Sequence, residues 1–320
     1  MMPSNRDTKP IQRKVSHIIE RLLAFVGAIA ALIGLVSGGI AIFEHLQRSS
    51  EAADLEAAWV SGGNARTVAS GERLSGSLVI SKFAVPDGVV SVAPGTVIVA
   101  DVLELGPKAS IRGTEAFIFA RFLTGGRIDF SGRPGQQPGE AGAAGGRIHL
   151  IVANTRGSAV DVSGGAGANG KPGKRGQDGR DGRCDGFGRY RGADRGADGE
   201  AGGPGGNGGA AGVAVVLTAS VGPTASNANG GTAGRGGAGG APGQGGRGCV
   251  GLGGSQPNAS PGVPGANGDD GKRGPDSSVV CRALPVAELR RSAAMVAQSP
   301  ERAADEVARL GRLPSASCLQ

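Results

Sequence analysis

Residues 164–182 read GGAGANGKPGKRGQDGRDG, with glycine at 164, 167, 170, 173, 176, 179 and 182. The same three-residue spacing returns at 196–208, at 231–246 and at 262–274. Three residues per turn is the period of the extended polyproline-II (PPII) helix, and a flexible linker has no reason to hold a period. A glycine at every third position leaves one bare face, where a neighbouring backbone can approach. Two glycines per triplet leave two such faces. Residues 202–212 (GGPGGNGGAAG) and 230–248 (GGTAGRGGAGGAPGQGGRG) have many glycine pairs and are predicted to be central. Residues 167–182 and 262–274 carry bulk at both other positions and are predicted to be outer. A PPII helix has no internal hydrogen bonds, so buried amides must pair between arms.

The periodic runs come in pairs. Residues 164–182 lead out, 183–195 break the period, and 196–209 return to an apolar run at Val213–Ala219. Residues 231–246 lead out, 248–261 break it, and 262–274 return to Ser278–Arg282. A shorter pair, 131–137 and 139–146, comes first. Glycine makes up 62 of 320 residues, against roughly 7 % in an average protein, and only ten residues are aromatic. A conventional core of this length needs large side chains, so most familiar enzyme folds are excluded for the glycine-rich part.

Upstream, from about Thr67 to Ala153, short β-branched runs recur between glycines 88, 95, 106, 113 and 125. Alternation at Val97, Val99 and at Leu103, Leu105 predicts strands. Strands this short and regular predict a small β-solenoid or stacked sheet base. Phe83, Phe117, Phe119, Phe122 and Phe130 mark its expected core. Gly126-Arg127-Ile128 recurs as Gly146-Arg147-Ile148, and Ile128–Gly132 recurs 32 residues on as Val160–Gly164. Asp129 and Asp161 are then either a shared cation or glycan site or caps of backbone groups at the strand ends.

The Gly-X-Y spacing resembles that of bacterial collagen-like surface proteins. The resemblance covers about 110 residues in four short, proline-poor pieces. The paired layout is also similar to the polyglycine-II bundles of phage tail-fibre adhesin tips and of the snow flea antifreeze protein. That second resemblance implies one chain running back and forth, with ligand contact at the loops of the bundle end.

Leu22–Phe43 is an uncharged run of 22 residues, long enough to span a bilayer as a helix and longer than the apolar region of a secretory signal. Arg6, Lys9, Arg13, Lys14 and Arg21 precede it, and acidic residues dominate after it. The expectation is a single-pass signal anchor with a cytoplasmic N-terminus, the C-terminal region exported to the periplasm or cell surface. Ala30, Gly34 and Gly38 repeat on one helical face, which allows helix packing and self-association; glycine is also simply common in membrane helices. The chain thus divides into a basic tail (1–21), a transmembrane helix (22–43), a juxtamembrane helix or linker (44–63), a β base (64–163), a PPII bundle (164–276) and a closing strand with a short-helical tail (277–320). Ser299-Pro300-Glu301 reads as a helix start.

Four cysteines occur. Cys184 and Cys249 each fall where an outgoing arm loses its period, which suggests a bridge between the tips; Cys281 and Cys318 would then pair. Three connectivities are open. The tip 183–195 holds the single tyrosine, Tyr190, with Phe187 and Arg183, Arg189, Arg191 and Arg195. Phe187, Arg189, Tyr190 and Arg191 are the candidate ligand-binding residues, with a solvated loop as the equal alternative. The second tip is milder. No metal spacing, Walker loop or serine elbow is present, so no cofactor, metal or catalytic residue is expected. The net charge of +7 is scattered among aspartates without aromatic interleaving, which disfavours nucleic acid. The expected function is a non-enzymatic structural or adhesive protein that contacts the bilayer and a surface glycan or protein. A collagen-like homotrimer and a β-solenoid polysaccharide-active enzyme are the alternatives.

Overall fold

The computed structural model describes residues 58–60, 64–185, 189–219, 225–252, 254–314 and 316–317, and residues 58–320 make one compact unit. Strands are numbered in chain order. Odd-numbered strands build the larger sheet: β1 (Ala65–Thr67), β3 (Ser77–Val85), β5 (Thr96–Leu105), β7 (Glu115–Thr124), β9 (Arg147–Arg156), β13 (Val213–Thr218) and β17 (Val279–Ala283). All of these run parallel, and β18 (Ala316–Ser317) closes the edge antiparallel to β17. Even-numbered strands build a second parallel sheet: β2 (Arg73–Leu74), β4 (Val89–Val92), β6 (Ser110–Arg112), β8 (Arg127–Asp129), β10 (Ala159–Asp161) and β14 (Ala225–Asn227). The chain therefore crosses from one sheet to the other and back along its length.

The alternation of β-branched residues explains the core between the sheets. Ile98, Ile118 and Leu150 stand in register on the larger sheet and are fully buried. Val90, Ile111, Ile128 and Val160 form the matching row on the smaller one. Burying such side chains is worth roughly 1.5–3 kcal/mol each. Phe83, Phe119 and Phe130 are fully buried, whereas Phe117 and Phe122 are half-buried. The sharp reversal between β7 and β8 uses Gly125 and Gly126, both at positive φ, a conformation that side chains disfavour.

Two α-helices occur among the described residues, α1 (Val286–Gln298) and α2 (Ala303–Leu310). Val286, Leu289, Ala293 and Val296 form the buried stripe of α1, which lies on β5, β7, β9 and β13. Ser299-Pro300-Glu301 opens a 3₁₀ turn (Pro300–Arg302) ahead of α2 rather than an α-helix.

This architecture corrects the expected fold class. The structure is a pair of large parallel sheets with helices, of α/β type, and not a small β-solenoid joined to a transmembrane helix. A solenoid repeats one short unit. Here the in-register offsets on the larger sheet are 17 (Ala65 to Lys82), 20 (Ser77 to Val97), 20 (Thr96 to Ala116), 32 (Ala116 to Ile148), 66 (Ile148 to Ala214) and 65 (Ala214 to Val279). The collagen-like characterisation is corrected with it, because the arms bond within a single chain, and so is a polyglycine-II bundle as the organising fold, because the two parallel sheets organise the molecule. Among the described residues no helix is long and apolar enough to cross a membrane. The segment 22–43, with Ala30, Gly34 and Gly38, lies outside the described residues, so single-pass anchoring and the localisation drawn from it find no support. Residues 58–60 are not helical, and Trp59 is buried with its amide donating to Asp101 Oδ1 at 2.9 Å.

The two GRI triplets are not equivalent: Arg127 belongs to the smaller sheet and Arg147 to the larger. The 32-residue echo, by contrast, pairs in register, Ile128 with Val160 and Asp129 with Asp161.

Candidate functional site

Each long strand-to-strand connection leaves the smaller sheet as an extended arm and returns as another. The exit is built locally. Asp129 Oδ1 accepts from the amide and hydroxyl of Ser131, at 3.1 and 2.6 Å. Asp161 Oδ1 accepts from the Ser163 amide at 2.8 Å, and Asn227 Oδ1 from the Asn229 amide at 3.3 Å. The three stand in one row across β8, β10 and β14. They turn the chain out of the sheet and cap its backbone. Burial alone would raise the Asp129 pKa; bonds from Ser131 and Arg112 outweigh it and hold the carboxyl below its ordinary value.

Along the arms, every third amide finds a carbonyl on a neighbour. Gly167, Gly170, Gly173 and Gly176 donate to Thr232, Arg235, Ala238 and Ala241 at 2.7–2.9 Å. Gly199, Gly202, Gly205 and Gly208 donate to Val263, Ala266, Asp269 and Lys272 at 2.8–2.9 Å. Asparagine and aspartate side chains add a second set of bonds. Asn169, Asp178 and Asp181 accept from the amides of residues 235, 244 and 247, each 66 positions ahead. Asp198 and Asn207 accept from residues 263 and 272, each 65 ahead. Asp178 and Asp181 lie in the run 167–182 that the sequence predicts to be outer, and here they hold a neighbouring arm. Their signal was the 65–66-residue repeat, which the three-residue period hides.

The arms end in two hairpins. The first pairs β11 (Arg183–Cys184) with β12 (Tyr190–Arg191), and the Arg189 amide donates to Asp185 Oδ1 at 2.8 Å. The second pairs β15 (Val250–Gly251) with β16 (Gly254–Ser255). A disulfide joins Cys184 to Cys249, with their Cα atoms 5.8 Å apart. The hairpins pack against each other: a Cβ on Gly251 would lie 2.9 Å from Cys184 Cβ and 3.8 Å from the Tyr190 ring. Cys281 is disulfide-bonded too, and Cys318 lies outside the described residues.

The clasped tips present an apolar and cationic surface. Leu252 is 92 % exposed, Val250 86 % and Tyr190 37 %. Arg183, Arg189 and Arg191 are exposed around them. Phe187 lies outside the described residues. The structure thus brings Arg189, Tyr190 and Arg191 together with the second tip. Val250 and Leu252 escaped sequence reasoning, although an apolar pair in the run CVGLGGS is unusual where all its neighbours are small. Among the described residues no three His, Cys, Asp or Glu gather in a way that could hold a metal ion.

His149 sits elsewhere, on β9. Its ring stacks on Phe117 at 4.8 Å between centroids, and its Nδ1 is buried with no hydrogen-bond partner. Burial, then the nearby Arg147 cation, lowers its pKa below the ordinary 6.5, against an opposing pull from Glu115. This is a packed, neutral imidazole.

Compared with protein-family models, with curated proteins and with solved structures, the chain matches none.

Proposed function

We propose that the protein is a non-enzymatic binding scaffold that holds out a rigid, two-hairpin tip to a glycan or protein ligand. The observation that carries this is the exposure of Val250, Leu252 and Tyr190 on a disulfide-clasped pair of loops. Large apolar side chains in water, ringed by arginine, are the composition of a contact surface rather than of a solvated turn. The rest of the molecule serves rigidity: arms locked amide to carbonyl lose little entropy when the tip engages. Disulfides persist in oxidising surroundings, where the clasp stays closed.

The test is binding of the full chain to immobilised glycans and to whole cells, against a Tyr190→Ala/Leu252→Ser variant. We expect at least a tenfold loss of binding with an unchanged melting curve. Equal binding by both proteins would remove the tip as the contact.

A further inference from the structure

A second, independent site lies at the base of the arms. The first arm pair (131–146) stands beside the smaller sheet, and between them runs a groove of about 840 Å³. Arg73, Ser91 and Arg112 line it from β2, β4 and β6, in one register row. Adjacent strands are about 4.8 Å apart, so Arg73 and Arg112 stand roughly 10 Å from each other along the groove. Arg133 and Gln136 line it from the arm, and Thr114 is a further lining residue.

The charge balance is what marks the groove. Arg112 is shared with Asp129, with Nε 3.1 Å from Oδ2. Among the described residues no ion pair joins Arg73 or Arg133 to a carboxylate, and both side chains are exposed. Arg175, Arg195 and Arg273, by contrast, are each paired with an aspartate three residues on, Asp178, Asp198 and Asp276, at 2.7–2.9 Å. Two uncompensated guanidiniums and one shared one therefore line a single cleft. Guanidinium forks suit carboxylate and sulfate groups. Their separation along the cleft suits repeated anionic groups on a chain better than one small ion. Ser91, Thr114 and Gln136 supply the neutral donors and acceptors that sugar hydroxyls need. Among the described residues no aromatic side chain lines the groove, so base stacking has no platform there.

We infer that this groove binds an acidic polysaccharide, with Arg73, Arg112 and Arg133 holding successive carboxylate or sulfate groups. The site does not depend on the tip.

Isothermal titration of the full chain with polygalacturonate oligomers, neutral dextran and oligo-dT tests it. We expect polygalacturonate to bind, dextran not to, and Arg73→Gln/Arg133→Gln to weaken binding at least tenfold. Lys171→Gln/Lys174→Gln removes the same charge from an exposed arm and should leave binding unchanged, as should Tyr190→Ala/Leu252→Ser. Absence of polygalacturonate binding, equal loss in the lysine variant, loss in the tip variant, or oligo-dT binding as tightly as polygalacturonate would each overturn the inference. Matching melting curves for the variants exclude misfolding as the cause.

Discussion

His149 shows how one side chain sets a pH dependence. It is stacked on Phe117, neutral, and carries a buried nitrogen without a partner. Unfolded, it takes up a proton near its ordinary pKa of 6.5; folded, it does so only at lower pH. The unfolded state then binds more protons in that window, so stability is fully present above about pH 6.5 and falls as pH drops through the folded value. His149→Phe keeps the stack and removes both the proton and the unpaired nitrogen. We expect it to unfold later in urea at pH 5 by about 1 kcal/mol, and to show a smaller difference between pH 7 and pH 5. A wild-type-like pH dependence in the variant would place the sensitivity on another group.

The arms make their demand at the level of the element. Their glycines are tolerated not for flexibility but for the absence of a Cβ. At Gly237 an added Cβ would overlap the carbonyl of Lys171, and at Gly206 that of Glu140. Both neighbours are backbone in hydrogen-bonded arms and cannot turn aside. Gly237→Ala should therefore cost about 2–3 kcal/mol. At Gly192, beside the first hairpin, a Cβ meets nothing within 4 Å and φ is not positive. Gly192→Ala should be neutral in the same urea titration. Equal effects at the two sites would mean that the interarm packing does not limit stability.

Across the whole molecule, one connection grows. The step from the smaller sheet back to the larger is a tight turn in the early rungs, a short arm pair at 131–146, and two long pairs after β10 and β14. The offset of 65–66 that relates β9, β13 and β17 also relates the asparagine and aspartate bonds between arms and separates Cys184 from Cys249. Two copies of one long module thus stack in register from sheet to tip. The disulfide closes a loop of that length at the end farthest from the sheets. On loop-closure entropy it contributes up to about 4 kcal/mol. Cys184→Ser/Cys249→Ser should lower the melting temperature while leaving the circular dichroism of the folded state unchanged, because the arms remain bonded along their length. Loss of the folded spectrum would show that the clasp is needed to form the arms at all.

Several features were legible in the residues themselves. The alternation at Val97, Val99, Leu103 and Leu105 marks strand, since side chains on a strand point to opposite faces in turn. The repeat of Ile128–Gly132 at Val160–Gly164 marks two rungs that pair. The breaks in glycine spacing at Cys184 and Cys249 mark the ends of arms. These are local or periodic properties, and a single chain carries them. The sheet pairing was not legible in this way. Nothing in the triplet Gly-Arg-Ile says that Arg127 and Arg147 enter different sheets, and small β-branched strands suit a solenoid as well as two large parallel sheets. The partners of Asn169, Asp178 and Asp198 lie 65–66 residues away, and an aspartate in a Gly-X-Y run looks solvated until its neighbour is known. The groove of Arg73, Arg112 and Arg133 is joined only when the first arm pair lies against the smaller sheet. Local spacing determines what each segment is, because backbone geometry is local; only tertiary packing decides which segments meet, because register across dozens of residues is chosen by the whole core.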